Sequence, residues 1–325
     1  MKEQVLTEIG TDIKKAGNWL SQGKCVGIPT ETVYGLAGNA VDAVAVSSIF
    51  VIKNRPSFDP LIVHVPDISA VHQYTTDFPE ALQALADRFW PGPLTILLPK
   101  KDIIPDLVTS GLPRVAIRVP AHPLTQALLR TLPFPLAAPS ANPFGYISPT
   151  TAQHVADQLS GKIPYILDGG PCSIGLESTI VGWENDMVVV YRLGGISMES
   201  IRQVAGQVTE ILNQSSNPNA PGMLKSHYAP RKPLYLNTLP EKIQKNNRPK
   251  IGVLCLNKSP DADNIQEVIF LSQQGDLNEA ARHLFSALRQ LDQMDIDIIL
   301  ATSVPEEGLG KAINDRLRRA AAPHS

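Results

Sequence analysis

The spacing of apolar positions changes repeatedly along the chain, and each change marks an element. Between Asp12 and Gly23 the residues Ile13, Ala16 and Leu20 recur at helical spacing, with Thr11 or Asp12 as cap and Gly23 as stop. The short apolar run Cys25–Ile28 predicts a strand that leads directly into Pro29-Thr30-Glu31-Thr32-Val33-Tyr34-Gly35-Leu36. Helical spacing returns from Asp42 to Lys53 and stops at Asn54-Arg55-Pro56. Further strands are predicted at Leu61–Val65, Leu94–Leu98, Val115–Val119 and Leu136–Ala138, with helices over 80–89 and 123–131. After residue 150 come a helix, strands at Tyr165–Leu167, Ser178–Val181 and Met187–Arg192, and a helix at Met198–Ala205. Strands and helices are mixed without strict alternation, which predicts an α/β domain built on a twisted, mixed sheet.

Residues 213–233 contain four prolines and no acidic residue, the composition of a connection. Beyond them, Ile251–Leu256, Val268–Leu271 and Ile296–Ala301 are strand-like, with helical patterns over 276–291 and 306–321. This predicts a smaller, parallel-sheet, Rossmann-like α/β domain. The division that follows is a first domain over 1–205, a connection over 206–232 and a second domain over 233–325.

A length of 325 residues suits two domains, and 43% hydrophobic with 18% charged residues suits packed cores. Net charge is −2, divided as −4 over the first 200 residues and +2 over the rest. That balance argues against a chain that coats nucleic acid and leaves room only for a local basic cleft. No run approaches the ~20 apolar residues of a membrane span. The start Met1-Lys2-Glu3-Gln4 lacks a signal-peptide pattern, so no membrane association and a cytoplasmic location are expected. Cys25, Cys172 and Cys255 lie far apart, which argues against disulfide or zinc frameworks and for a reducing compartment. The histidines show no H-E-x-x-H spacing, so no protein-held metal is expected.

Candidate chemistry concentrates in the first domain. Lys53 and Arg55 stand at a helix end, where they would either complement the helix dipole or form a cationic fork for phosphate. Arg114 and Arg118 share one strand face about 13 Å apart at ~3.3 Å per residue, too far to grip one small anion but suited to two ends of a longer ligand. Solvated arginines on an exposed face are the simpler alternative. His64 sits inside an apolar strand, as a core residue or a ligand. Ser140-Ala141-Asn142 lies in a turn, and Gly175-Leu176-Glu177-Ser178-Thr179 is a glycine-relieved loop or a tight connection. The chain lacks a G-x-S-x-G elbow and a G-x-x-x-x-G-K-[ST] loop, so a serine hydrolase and a P-loop nucleotide site are both unsupported.

Taken together, these strings resemble the long-form threonylcarbamoyl-AMP synthases, which join a YrdC-like domain to a C-terminal extension. The matching segments are Pro29–Leu36, Lys53-Asn54-Arg55-Pro56, Pro60–Val65, Trp90–Thr95 and Val115–Pro120. Ala138–Asn142 with Gly145 and Ser148-Pro149-Thr150, Gly175–Val181, Arg192-Leu193-Gly194, Pro221-Gly222-Met223 and His227–Pro230 complete the set, so the likeness covers about residues 12–232. The chain departs from the family pattern at Asp59, where Asn is common, and at Gly182, where Asp is common.

The resemblance implies a nucleotidyltransferase that joins L-threonine, bicarbonate or carbon dioxide, and ATP with Mg²⁺, releasing threonylcarbamoyl-AMP and pyrophosphate. The product would feed a separate tRNA-modifying transferase that makes threonylcarbamoyladenosine, with at most a weak tRNA contact by this chain. By the same resemblance, Thr32, His64, Arg118, Ala138 and Ser178 surround threonine. Lys53, Arg55, Asp59, Arg114, Ser140, Asn142, Ser148, Arg192 and Tyr228 hold the nucleotide, with Lys53 and Arg55 acting in catalysis and Mg²⁺ carried mainly by ATP and pyrophosphate. The connection would fold over the cleft, and a cut after about residue 205 is expected to leave the first domain folded but inactive. Two alternatives use the same cations: a module binding tRNA or double-stranded RNA, and an ATPase indifferent to threonine.

Overall fold

The computed structural model describes residues 6–212, 220–221, 227–240 and 249–322. The first domain is a mixed sheet of β1 (Glu8–Gly10), β2 (Val26–Ile28), β3 (Gly35–Asn39), β4 (Ile62–His64), β5 (Leu94–Pro99), β6 (Arg114–Arg118), β7 (Leu136–Ala137), β8 (Tyr165–Leu167), β9 (Thr179–Glu184), β10 (Met187–Arg192) and β11 (Val208–Glu210). Their spatial order is β1-β8-β2-β3-β7-β4-β6-β5-β9-β10-β11. Helices α1 (Ile13–Ser21), α2 (Ala43–Lys53), α3 (Glu80–Phe89), α4 (Asp106–Thr109), α5 (Pro123–Thr131), α6 (Ala152–Leu159) and α7 (Met198–Ala205) flank it. In the second domain β12 (Leu234–Leu236), β13 (Ile251–Cys255), β14 (Ile265–Phe270) and β15 (Ile298–Ala301) pair in parallel in the order β12-β15-β13-β14. Helices α8 (Leu277–Gln293) and α9 (Gly310–Ala320) complete it.

Local chemistry sets the elements that matter for the site. The Asp12 carboxylate caps α1 by accepting from Lys14 N at 2.8 Å and Lys15 N at 3.1 Å. Asp42 caps α2 in the same way, and Asn54 ends it in the left-handed region at φ 53°. That reversal lets buried Lys53 and the following Arg55 leave the helix toward the sheet. In the sheet centre β4 runs parallel to β6, with Ile62 beside Ala116 and His64 beside Arg118. On the other side of β6, β5 runs antiparallel and sets Thr95 beside Arg118, and β5 in turn pairs in parallel with β9. Since paired residues share a face, His64, Arg118 and Thr95 form one row.

Four strands escape the apolar pattern, among them Gly35–Asn39, whose two glycines hide a strand made by antiparallel pairing with β2 and β7. Glu8-Ile9-Gly10 has no strand signature and is held by parallel pairing with the distant β8. Val208–Glu210 falls in the stretch assigned to the connection, yet α7 carries it back to pair in parallel with β10, so the first domain extends through β11. Leu234–Leu236 follows directly on the prolines and gains strand form only by pairing with β15. Two residues of one motif quoted for the connection, Gly222 and Met223, lie outside the described residues.

The two domains share one apolar core. Ile147 and Leu176 of the first domain belong to the same buried cluster as Leu284, Phe285 and Leu288 of α8 and Leu317 of α9. Gly175, at φ 77°, permits this approach, since a Cβ there would lie 2.5 Å from Arg282 Cα. The tight-connection reading of the Gly175 loop therefore holds at its glycine, while its polar end faces the cleft. Polar ties reinforce the seam: buried Arg289 donates to Ile147 O at 2.5 Å and Ser148 O at 3.3 Å, and the Tyr146 hydroxyl donates to Asp292 at 2.6 Å. A first domain cut free at residue 205 would lose β11 and expose this surface, so its stability is expected to fall.

Candidate active site

Between the central strand row and the connection lies a cleft lined by Thr30, Thr32, Arg55, His64, Arg118, Ala138, Ser140, Glu177, Ser178, Arg192, Pro221 and Tyr228, among others. At one end, Thr32 is presented by a turn in which Thr30 Oγ1 donates to Val33 O at 2.6 Å and accepts from Thr32 N at 3.2 Å. The Arg118 guanidinium, 3% exposed, donates to Thr32 Oγ1 at 2.8 Å, Glu31 Oε1 at 2.6 Å and Gly92 O at 3.2 Å. Glu31 also accepts from Ala121 N at 3.0 Å, so Arg118 is fixed and its charge balanced. Its planar fork retains two further N–H donors beyond these three bonds. The Ser178 and Thr95 hydroxyls lie 2.6 Å apart, which fixes Ser178 beside the row. His64 is buried next to Arg118, and its Nδ1 has no hydrogen-bond partner. Burial first, then the Arg118 charge, push its pKa down to about 3, so the imidazole is neutral. Ala138 contributes backbone, with its N–H donated to Ile62 O at 2.9 Å.

The other end is cationic. Arg55 Nη2 pairs with Asp59 at 2.8 Å and donates to Pro60 O at 2.9 Å, while Nε donates to Asp59 O at 3.0 Å. Arg192 donates from Nε and Nη2 to Ser178 O, at 3.0 and 2.9 Å, and burial lowers its pKa to about 10 without removing its charge at neutral pH. Tyr228, buried with φ 67°, closes the cleft and stacks on Phe285 of α8 at 5.6 Å. Arg316 and Arg319 of α9 each lie 5.1 Å from its ring centroid. The cavity left is about 50 Å³, against roughly 300–1,000 Å³ for ligand pockets, too small to hold a nucleotide as it stands.

Several predicted residues stand elsewhere than the cleft wall. Asp59 faces Arg55, so its carboxylate orients that guanidinium and balances its charge. Arg114 lies at the far end of β6, paired with Glu184 at 3.0 Å and bonded to the Tyr191 hydroxyl at 3.0 Å; it does not line the cleft. The departure at Gly182 belongs to the same corner, since a Cβ there would approach Tyr191 Cε2 at 2.9 Å. Lys53 is 1% exposed and donates its ammonium to Ser140 O at 2.5 Å and to Asn142 O, so it braces the Ser140 turn from behind. Asn142 serves the same turn through bonds to Pro143 O at 2.9 Å and Tyr146 O at 2.8 Å. Ser148 is fully buried and donates to Glu177 at 2.6 Å.

Sequence reasoning assigned no role to Glu31, Thr95, Glu177, Arg289 or Arg316. The two arginines carried a readable signal: Arg316 stands three residues after Ile313 and four before Ala320, on the apolar stripe of α9. Arg289 stands four after Phe285 on the stripe of α8.

Replacing Arg55 by alanine removes the counter-charge of the buried Asp59 carboxylate, and replacing Lys53 leaves two loop carbonyls without that donor. Turnover is expected to fall about 10²-fold or more in each variant, in Arg55→Ala through loss of one preorganised donor and in Lys53→Ala through displacement of the Ser140 turn it braces. Steady-state rates near wild type in both variants would remove these residues from the mechanism. His64 and His227 give a second expectation. Both are buried and held neutral, His227 by burial and by the charges of Arg319, Arg55, Lys53 and Arg316. Below pH ~6.5 the unfolded chain takes up protons that the folded chain refuses, so stability is complete above that pH and falls as pH drops. The slope is about 1.4 kcal/mol per pH unit for each imidazole. Urea unfolding at about pH 7 and about pH 5.5 measures it, and His227→Gln should reduce the difference.

A cleft with a balanced arginine at one end and a cationic floor at the other defines a two-domain α/β protein built to align two anionic groups. Residues 18–194 match the family model described as telomere recombination, and residues 196–322 match the threonylcarbamoyl-AMP synthase C-terminal domain. The threonylcarbamoyl-AMP synthase of Bacillus subtilis is 42% identical, covering 98% of this chain and 96% of its own. That of Pyrococcus abyssi is also 42% identical, covering 95% and 93%. The crystal structure of P. abyssi Sua5 complexed with L-threonine superposes with a TM-score of 0.88 at 38% identity over 97% of each chain. The chain belongs to the threonylcarbamoyl-AMP synthase family, in its two-domain form.

Proposed function

We propose that this protein is an L-threonylcarbamoyladenylate synthase, a nucleotidyltransferase that supplies threonylcarbamoyladenosine modification of tRNA. The observation that carries the reading is the division of the cleft. Arg118, already fixed by Glu31 and Thr32, offers its remaining donors to a carboxylate, with neutral His64 and Ser178 beside it for the amine and hydroxyl of threonine. Arg55 and Arg192 both interact electrostatically with Tyr228, where a triphosphate would be drawn, and Arg192 reaches back to the Ser178 hydroxyl at 3.0 Å. Threonine's amine attacks carbon dioxide, forming an N–C bond and releasing a proton. A carbamate oxygen then attacks the α-phosphorus of ATP, and the bond to pyrophosphate breaks. No covalent nucleophile is required; alignment of two repelling anions and stabilisation of the departing charge are.

Magnesium enters this account with ATP as substrate. The carboxylates at the cleft, Glu31, Asp59 and Glu177, are each paired with an arginine, and no cluster of metal-binding side chains occurs among the described residues. The ion is therefore expected on the phosphates rather than in a protein cage. Binding of an RNA duplex is disfavoured because Arg118 and Arg192 are 3% and 6% exposed, out of reach of a phosphate backbone. No described helix is long and apolar enough to cross a membrane. Pyrophosphate release from Mg·ATP, with threonine and bicarbonate omitted singly, tests the reading: dependence on both is expected, and turnover indifferent to threonine would indicate an ATPase instead.

A further inference from the structure

We infer that the second domain completes the nucleotide end of the cleft through Arg316, a positioning residue that neutralises the cleft carboxylate Glu177 and thereby admits the triphosphate. The inference rests on the adenylate-forming reading above and adds a role for the C-terminal domain. Glu177 lines the cleft beside Ser178 and Arg192, and its two oxygens are held by different domains. Oε1 accepts from the Ser148 hydroxyl at 2.6 Å, and Oε2 accepts from Arg316 Nε at 2.9 Å. Arg316 is 0% exposed, and its Nη2 donates to Leu193 O at 2.8 Å, the carbonyl next to Arg192. Asp315 binds its Nη1 at 2.6 Å, and the Tyr228 ring lies at 5.1 Å. One side chain of α9 thus meets the Glu177 loop, the end of β10 and the closing tyrosine.

A buried carboxylate beside a triphosphate path is a liability unless its charge is cancelled, because repulsion between like charges grows as water is excluded. The groups facing Glu177 are Arg316 from α9, Arg192 from β10, Ser148 from the preceding loop and Tyr228 from the connection. Burial would raise the Glu177 pKa, but the Arg316 and Arg192 charges prevail and hold it below the usual carboxylate value. The seam has an extensive apolar core of its own, so adhesion between domains does not require an ion pair there.

The test uses the full chain and binding of a non-hydrolysable Mg·ATP analogue, measured by calorimetry beside threonine binding. In Arg316→Met the analogue is expected to bind about tenfold or more weakly, as on breaking one partner from a buried pair, with threonine affinity little changed. The loss should widen as pH rises and Glu177 ionises. Adding Glu177→Gln should restore most of the affinity and abolish that pH dependence, which a purely structural pair would not produce. Glu177→Gln alone, which keeps the arginine, should bind the analogue at least as well as wild type. Equal losses for both ligands, a pH-independent loss, no recovery in the double variant, or weak binding in Glu177→Gln would each overturn the inference. A wild-type chain that binds the analogue but forms no adenylate would sink the reaction instead, and the same variants would still decide the charge role.

Discussion

Arg118→Ala is expected to lower kcat/KM for threonine by about 10³-fold while leaving binding of a Mg·ATP analogue within a few-fold of wild type. Two effects add. The variant removes the fork that would receive the threonine carboxylate, and it leaves Glu31 buried without the partner it has at 2.6 Å. Breaking one side of a buried pair costs about 3–5 kcal/mol, which is the stated scale in rate. Arg118→Lys should recover little, because an ammonium cannot bond Thr32, Glu31 and Gly92 while meeting a carboxylate. Initial rates across a threonine series, with the analogue's affinity measured in parallel, check both halves. An equal loss of nucleotide binding would mean that Arg118 supports the cleft generally rather than its threonine end.

Ending the chain after Leu212 should have an effect as large, by a different route. The truncated protein keeps β11 and every strand of the first sheet, yet it loses Arg316 from Glu177 and Arg289 from Ile147 O and Ser148 O, and uncovers Ile147 and Leu176. Adenylate formation is expected to vanish, and Tm to fall by about 10 °C or more, from the buried pair alone at a few degrees per kcal/mol. The newly exposed apolar seam should also promote self-association. Thermal denaturation and sedimentation of the truncated and full chains measure this. A monomeric truncated domain of undiminished Tm that still makes the adenylate would remove both the closing segment and the second domain from the mechanism.

Most of the elements were legible because their apolar period was strong. The helices at α1, α3, α5 and α7 follow from burial of one face, whereas α2, with exposed Val44 and Val51, and the central strands, buried on both faces, read as apolar runs bounded by turn residues. β1 and β11 were not legible, since Glu8-Ile9-Gly10 and Val208-Thr209-Glu210 are largely exposed and owe their form to partners far along the chain. The cleft shows the same divide. Arg118, His64 and Ser178 could be named from motifs, but their mutual placement depends on strand register that no local pattern encodes. Motif likeness grouped Lys53, Asp59 and Arg114 with the ligand-facing residues, whereas burial and pairing put Lys53 behind the Ser140 turn, Asp59 behind Arg55 and Arg114 on Glu184. Glu177 stood inside a quoted motif, but its counter-charge comes from α9, and a contact between residues 139 positions apart has no local signature.

The central claim is that this cleft joins the carbamate of threonine to the adenylyl group of ATP. Incubation with Mg·ATP, threonine and ¹³C-bicarbonate, followed by mass identification of the products, addresses it most directly. The account predicts a threonylcarbamoyl adenylate carrying the single ¹³C atom, formed together with pyrophosphate and absent when threonine is withheld. Pyrophosphate or ADP appearing at the same rate without threonine, and no labelled adenylate with it, would contradict the account.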